Sequence, residues 1–335
     1  MEKYTMKKTK SPVFVNYIVK HVSVKAKERL KTCGDFIMFL GDKTMEKLKI
    51  KAGDFCGNRF CPMCAWRKAK KDGLIISILM QYLKIEQKKE FIFLTLTTPN
   101  VQDFELENEI KKFNNSFKKL MKRTEVLKIT KGYIRKLEVT YDKNEKITKQ
   151  LYEKKKNYFD KRYLEIGDEN PTFNSYNPHF HVVIAVNKTY FTDTKQYINQ
   201  ERWLDLWREA TGDSSITQVS AKKVRANDRK EVSELAKYGA KDADYLTSQS
   251  VFDVFYKALK GKQILTYNGL FKDALKLFKE GKLDKYKEKD PTEYIFMLLY
   301  KWGFGQYVEQ EIRELTQEEY DKVNKELIQE IEIED

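Results

Sequence analysis

Three of the chain's four cysteines fall within nine residues, Cys56-Gly-Asn-Arg-Phe-Cys61-Pro-Met-Cys64, and the fourth, Cys33, lies upstream in Thr32-Cys33-Gly34. Thiols this scarce and this clustered constrain the fold, because four thiolates are what a closed structural Zn²⁺ site needs and Cys61-x-x-Cys64 is the usual two-ligand turn. Disulfides are disfavoured in a cytosolic protein. A redox Cys-x-x-Cys would need a thioredoxin-like βαβ setting, which the surrounding pattern does not supply. Cys33 is far from the others in sequence, so a three-cysteine site completed by another ligand stays open. The turn leads into Arg67, Lys68, Lys70 and Lys71, which read equally as a phosphate-binding surface or as the solvated face of a helix.

The basic character extends to the whole chain. Its 335 residues carry 64 Lys and Arg against 50 Asp and Glu, a net charge of +14, and such an excess favours polyanionic partners through counterion release. The 20 Tyr and 20 Phe are compatible with base stacking, although most should be core. No apolar run approaches the ~20 residues of a membrane span, and no secretory core follows the basic start, so the expected location is the cytoplasm. Gly41-Asp-Lys-Thr44 lacks the length of a phosphate-binding loop, which argues against a nucleotide-driven motor.

Strand-like runs at 91–97, 132–141, 179–186 and near 215–224 mix with helical patterns at 72–90, 103–126, 196–210 and 228–246. There is no βαβ repeat, so the expected class is α+β with a central antiparallel sheet flanked by helices. The expected organisation is a basic lead-in (1–32), a Cys-rich zinc-binding module (33–86), a sheet domain (87–250) and a C-terminal region (251–335). That last region reads as mostly helical, with an aromatic-rich segment at 294–307. Within the sheet domain the charged stretch 142–171 reads as an insertion or an extended hairpin.

Two of the three histidines stand in His179-Phe180-His181. On a strand they share a face, with Phe180, Val182, Ile184 and Val186 on the other. Two imidazoles on one face can hold a divalent metal, or can simply be polar strand residues with hydrogen-bond partners. Glu138 is a candidate third ligand if strands 132–141 and 179–186 pair antiparallel; otherwise it is an edge carboxylate facing water. On a helix over 228–246, Glu234, Tyr238, Lys241 and Tyr245 fall in one stripe. By itself this is the polar side of an amphipathic helix, yet it also groups a nucleophile, a carboxylate and a cation.

Taken together these motifs resemble the rolling-circle replication initiators of small multicopy plasmids, within the HUH endonuclease superfamily (His-hydrophobic-His). The resemblance rests on Phe93-Leu-Thr-Leu-Thr97, Pro178-His179-Phe180-His181, Ala236-Lys237-Tyr238-Gly-Ala-Lys241-Asp242, and the Cys56–Cys64 block with Trp66-Arg67. It covers about residues 30–250. It implies an HUH-nuclease-type antiparallel sheet and Mg²⁺ or Mn²⁺ on His179 and His181, with Glu138 as third ligand. It implies Tyr238 as the nucleophile that leaves a 5′-phosphotyrosine and a 3′-OH primer, and Glu234 as activator of water in a closing hydrolysis or strand rejoining; Lys241 of the same stripe would hold the phosphate or aid the phenolate. Tyr245 leaves a two-tyrosine scheme open. The implied partners are origin DNA and a host polymerase, the missing motor motif adds a host helicase, and a homodimer stays open. A non-catalytic zinc-stabilised DNA-binding regulator, or a transposase or relaxase of the same superfamily, are the competing expectations.

Overall fold

The structure, a computed structural model, describes residues 1–224, 229–237 and 239–330. Among them are nine strands: β1 (Phe36–Asp42), β2 (Leu48–Gly53), β3 (Lys89–Thr97), β4 (Gly132–Asp142), β5 (Ser175–Asn187), β6 (Ser220–Val224), β7 (Leu265–Gly269), β8 (Tyr294–Gly303) and β9 (Gln306–Glu314). The class is mixed α+β, and every strand pairing is antiparallel. The chain divides into two compact units, each with its own sheet. One gathers Met1–Gln87 with the described parts of 226–238 and 272–335; the other gathers Lys88–Arg225, as far as described, with Gly239–Phe271.

In the second unit the sheet order is β6-β3-β5-β4-β7. The inner strands β3 and β5 are apolar nearly throughout, because helices cover one face and side chains of the unit cover much of the other. On the first face Phe180 packs against Phe113 and Phe117 of the helix Leu106–Lys122, with ring centroids 4.4 and 5.5 Å away. Trp207 of the helix Gln200–Thr211 meets Phe113 at 5.1 Å and donates its indole N–H to the Thr97 carbonyl. The glycines Gly132 and Gly269 face each other between β4 and β7. A Cβ on Gly132 would come within 2.7 Å of backbone atoms of Asn268 and Leu270, so this strand junction needs a residue without a side chain.

In the first unit the order is β2-β1-β8-β9. The lead-in 1–32 forms three short helices, Glu2–Thr9, Ser11–Ile18 and Val24–Lys31, that bury Phe14, Ile18 and Leu30. Tyr4 meets Phe39 of β1 and Trp66 of the helix Pro62–Ile85 edge-on.

Two expectations are corrected. Residues 251–335 are not a helical region, since they hold β7, β8 and β9 as well as helices. The run Tyr294–Gly303 is apolar without alternation, so periodicity could not separate strand from helix. Its strand partner β1 lies more than 250 residues upstream, where no local signal reaches. The stretch 228–246 is not one continuous helix: the described helices are Arg229–Ala236 and Asp242–Tyr245. Glu234, Lys241 and Tyr245 therefore do not share one helical stripe. The 142–171 segment folds into two short helices, Lys149–Lys154 and Lys156–Asp160.

Candidate functional site

The register of the second sheet builds a cluster. β4 and β5 pair antiparallel with Glu138 opposite His179 and Lys136 opposite His181, while β3 sets Thr95 opposite His181 and Thr97 opposite His179. Directly opposed residues point to the same face, so Glu138, His179, His181, Lys136 and Thr95 share one. One oxygen of Glu138, Oε2, lies 3.3 Å from His181 Nε2, 3.7 Å from His179 Nε2 and 3.2 Å from Lys136 Nζ. Glu138 and His181 are buried and His179 is half-buried.

Each imidazole is held by its other nitrogen. His179 Nδ1 lies 3.3 Å from the Asn177 carbonyl, an acceptor only, so Nδ1 carries the proton and Nε2 keeps a lone pair. His181 Nδ1 lies 3.4 Å from the Thr95 hydroxyl. This is how metal-binding histidines are usually oriented. Burial lowers the His179 pKa to about 4, which favours the neutral, ligating form. Burial alone would raise Glu138, but the Lys136 ammonium and the two imidazoles hold its carboxyl well below the usual range. Two imidazoles and a carboxylate, with donor atoms all within 4.8 Å of one another, suit a divalent cation with coordination positions to spare.

Lys136 is the residue that sequence reasoning passed over. It is fully buried, and its signal was present as a lysine two residues before a glutamate on the same face of an apolar strand. Asp244 was also missed. It accepts from the Tyr141 backbone N–H, and burial pushes its carboxyl up, with the Glu138 charge adding to the shift.

Tyr238 lies outside the described residues. The next residue, Gly239, accepts the Val139 N–H through its carbonyl at 2.8 Å, so the chain is fixed to β4 one position beyond Glu138. Lys241 follows at the N-cap of the helix Asp242–Tyr245. Tyr245 is buried, with its ring near Phe252 and Phe255, and serves as core. In the other unit, Glu234 of the helix Arg229–Ala236 accepts from Lys237 Nζ at 2.6 Å.

The first unit brings the four cysteines together. Cys33 Sγ is 3.5 Å from both Cys61 and Cys64, and Cys56 Sγ is 3.6 Å from Cys64. A tetrahedral ion at the usual zinc–sulfur length of about 2.3 Å spaces its sulfurs about 3.8 Å apart, so the set is close to that size. Two cysteines are followed by glycines in the left-handed region, Gly34 (φ 75°) and Gly57 (φ 71°), which lets the backbone fold back over the sulfurs. Cys56 N–H and Gly57 N–H point at the sulfurs of Cys33 and Cys64, each at 3.3 Å. The helix Pro62–Ile85 begins just after Cys61, which turns its positive end toward the sulfurs. The β8–β9 hairpin fastens the Cys33 turn, since Tyr307 donates its hydroxyl to the Gly34 carbonyl at 2.7 Å.

The four basic residues after the cysteines are not equivalent. Arg67 stacks on Phe55 at 3.3 Å, Lys68 pairs with Asp72, Lys70 pairs with Glu330, and Lys71 is exposed. No helix among the described residues is long and apolar enough to cross a membrane.

The chain matches the family model described as "Replication protein" over residues 47–308. A protein named "Protein rep" from Staphylococcus aureus is 51% identical over 250 residues, covering 75% of this chain and 97% of that protein. Proteins of the same name are 29% identical in Lentilactobacillus hilgardii (76% of each chain) and 31% identical in Streptococcus pneumoniae (74% of this chain, 71% of that one). No solved structure matches. With the family model spanning most of the chain and a relative of this identity matched almost end to end, this chain belongs to the replication-protein family of plasmid Rep initiators.

Proposed function

We propose that the chain starts rolling-circle replication by nicking one strand of origin DNA with Tyr238, beside a Mg²⁺ or Mn²⁺ ion held by Glu138, His179 and His181. The convergence of these three donors on one sheet face carries the reading. The hydrogen bond that fixes Gly239 to β4 supports it, because it ties the chain next to Tyr238 to the strand of Glu138. A cation bound there would draw charge from a non-bridging oxygen of the scissile phosphate.

The chain's own residues supply the rest. The Tyr238 phenol oxygen attacks phosphorus and gives up its proton, with Lys241 as the cation that favours the phenolate. The bond from phosphorus to the 3′ oxygen breaks, and that oxygen takes a proton. The products are a 5′-phosphotyrosine and a 3′-OH from which a host polymerase extends. Glu234 activates water for the closing hydrolysis, or strand rejoining releases the tyrosine. The four cysteines hold structural Zn²⁺, Arg67, Lys68, Lys70 and Lys71 face the DNA backbone, and a host helicase opens the duplex.

The test is nicking of supercoiled DNA carrying the protein's own origin, with Mn²⁺, for wild type and Tyr238→Phe. The expected result is relaxation with a protease-sensitive DNA adduct, lost in the variant. Nicking that survives Tyr238→Phe overturns the nucleophile, and tight origin binding with no nicking by either protein overturns the enzyme.

A further inference from the structure

Between β4 and β5 the chain leaves the sheet as an appendage with its own small core. Ile147, Leu151 and Phe159 are buried together, with Tyr152, Tyr158 and Leu164 packed on them. Its base is clamped by Asp142, the last residue of β4, which accepts from Lys155 Nζ at 2.8 Å, Thr172 Oγ1 at 2.7 Å and Asn170 Nδ2 at 3.0 Å. Asp142 is paired with Ser175, and these two residues lie four positions along β4 and β5 from Glu138 and His179. At ~3.4 Å per residue the clamp is ~14 Å from the cluster. The appendage therefore continues directly from the two strands that carry Glu138 and His179 and is tied to their ends.

Its tip has an unusual residue. The helix Lys156–Asp160 closes with Leu164 N–H to the Phe159 carbonyl at 3.2 Å and Tyr163 N–H to the Asp160 carbonyl at 3.1 Å. This closure places its left-handed residue at position 163, where glycine is the usual occupant. Here it is Tyr163, with φ 56° and 94% of its surface exposed. Both the backbone conformation and the exposed ring are unfavourable for the free protein, and nothing in the appendage's own packing uses the ring.

The charge around the tip identifies the partner. Five of the ten residues from Lys154 to Tyr163 are Lys or Arg and one is acidic. Lys154, Lys156, Lys161 and Arg162 are exposed, while the acids Glu165, Asp168 and Glu169 collect on the return limb. Arg162 is stiffened by stacking over Tyr158 at 3.9 Å. A presented aromatic ring flanked by exposed cations is the pattern that binds unpaired nucleic acid, in which the base stacks and the phosphates are neutralised.

We infer that the appendage grips single-stranded DNA beside the cleavage site, with Tyr163 stacked on an unpaired base and Lys161 and Arg162 on phosphates. The inference rests on the nicking reading for where the strand runs, but its test does not depend on cleavage. Binding of the full chain to a fluorescent single strand spanning the nick region of its own origin, and to the matching duplex, is measured by anisotropy without Mg²⁺ or Mn²⁺.

Tyr163→Gly is expected to weaken single-strand binding by ~5-fold to ~100-fold and duplex binding much less. Its thermal midpoint should be kept or raised, since glycine suits φ 56°. Tyr163→Phe should bind like wild type. Lys161→Ala with Arg162→Ala should flatten the salt dependence of single-strand binding by about 1.4 in log–log slope, ~0.7 per phosphate. Unchanged binding by Tyr163→Gly, or equal losses on single strand and duplex, overturns the inference. If Tyr163→Gly loses affinity while the wild type never nicks, the appendage stands and the nuclease reading falls; if the wild type nicks and Tyr163→Gly binds and nicks like it, the reverse holds.

Discussion

The four-thiol cluster of the first unit and the Glu138–His179–His181 cluster of the second both gather metal-binding atoms within 4.8 Å, yet they are built to opposite plans. The cysteines come as four equivalent donors at near-tetrahedral spacing, with backbone N–H groups on their sulfurs. Four sulfurs fill the shell of a tetrahedral ion, so the cluster can brace the fold but has no position for a substrate. The second cluster offers three donors of two kinds and places a buried lysine against the carboxylate. Three donors leave an ion with positions to fill, which is what chemistry on a phosphate requires. The contrast separates a site whose loss should unfold the protein from one whose loss should leave it folded and inactive.

The largest expected effect breaks the first cluster. Cys61→Ser removes a buried donor from the set. Structural zinc sites contribute roughly 10 kcal/mol or more of folding free energy in small domains, so the variant should lose bound zinc and either fail to fold or unfold at least ~10 °C lower. Metal content and a thermal melt check this. A variant that melts like wild type would show that these thiols are not a structural site.

The second effect is on activity. Glu138→Gln keeps the shape of the side chain and removes its charge. Origin nicking should fall by at least ~100-fold, beyond the 10–100-fold typical of losing a mere supporting group, while zinc content is unchanged. If nicking and zinc content fell together, the two clusters would not be functionally separate.

Legibility in the sequence followed the same divide. The histidine cluster could be read in part because a strand has a period of two: counting residues put His179 and His181 on one face, Glu138 joined them only on the condition that its strand pair antiparallel with theirs, and the register supplies that pairing. Cys33 could be joined to its partners only by the rule that thiols converge, because the turn at Gly34 and the β8–β9 hairpin that holds it come from opposite ends of the chain. The strand β8 was missed for the same reason, as its pairing with β1 is a non-local fact. The break between Ala236 and Asp242 was missed because helical spacing continues through it on paper, while the Gly239 carbonyl is engaged by Val139. Lys136 was legible and overlooked: a charged residue on an apolar strand two positions from a candidate ligand calls for a partner.

Lys136 sharpens the comparison from within the second cluster. Its ammonium lies beside Glu138 Oε2, where a metal would also draw on the carboxylate. In metal-free protein, Lys136→Met leaves a buried carboxylate short of a cation, a change that costs about 3 kcal/mol. A bound cation should offset the loss, because a ligand stabilises the state that binds it. Denaturant melts of Lys136→Met with and without Mn²⁺ should therefore show a large stabilisation by the metal, and wild type a smaller one. Equal responses would mean that the lysine and the metal do not share the carboxylate.

The smallest effect tests whether the second cluster is also pre-shaped. The two imidazoles are held differently: His179 by the Asn177 backbone carbonyl, which no substitution at that position removes, and His181 by the Thr95 hydroxyl. Thr95→Val is nearly isosteric and suits a strand, so the fold should be untouched. Without the hydroxyl, His181 Nδ1 loses one hydrogen bond that helps to fix which nitrogen faces Glu138. The Mn²⁺ concentration giving half-maximal nicking should rise by about 10-fold, and the rate at saturating Mn²⁺ should stay close to wild type, because the three donors themselves remain. A lower saturated rate with unchanged half-saturation would place Thr95 in the handling of the DNA. No change in either would mean that the strands alone orient His181, and that this cluster, like the cysteines, is fixed by its backbone.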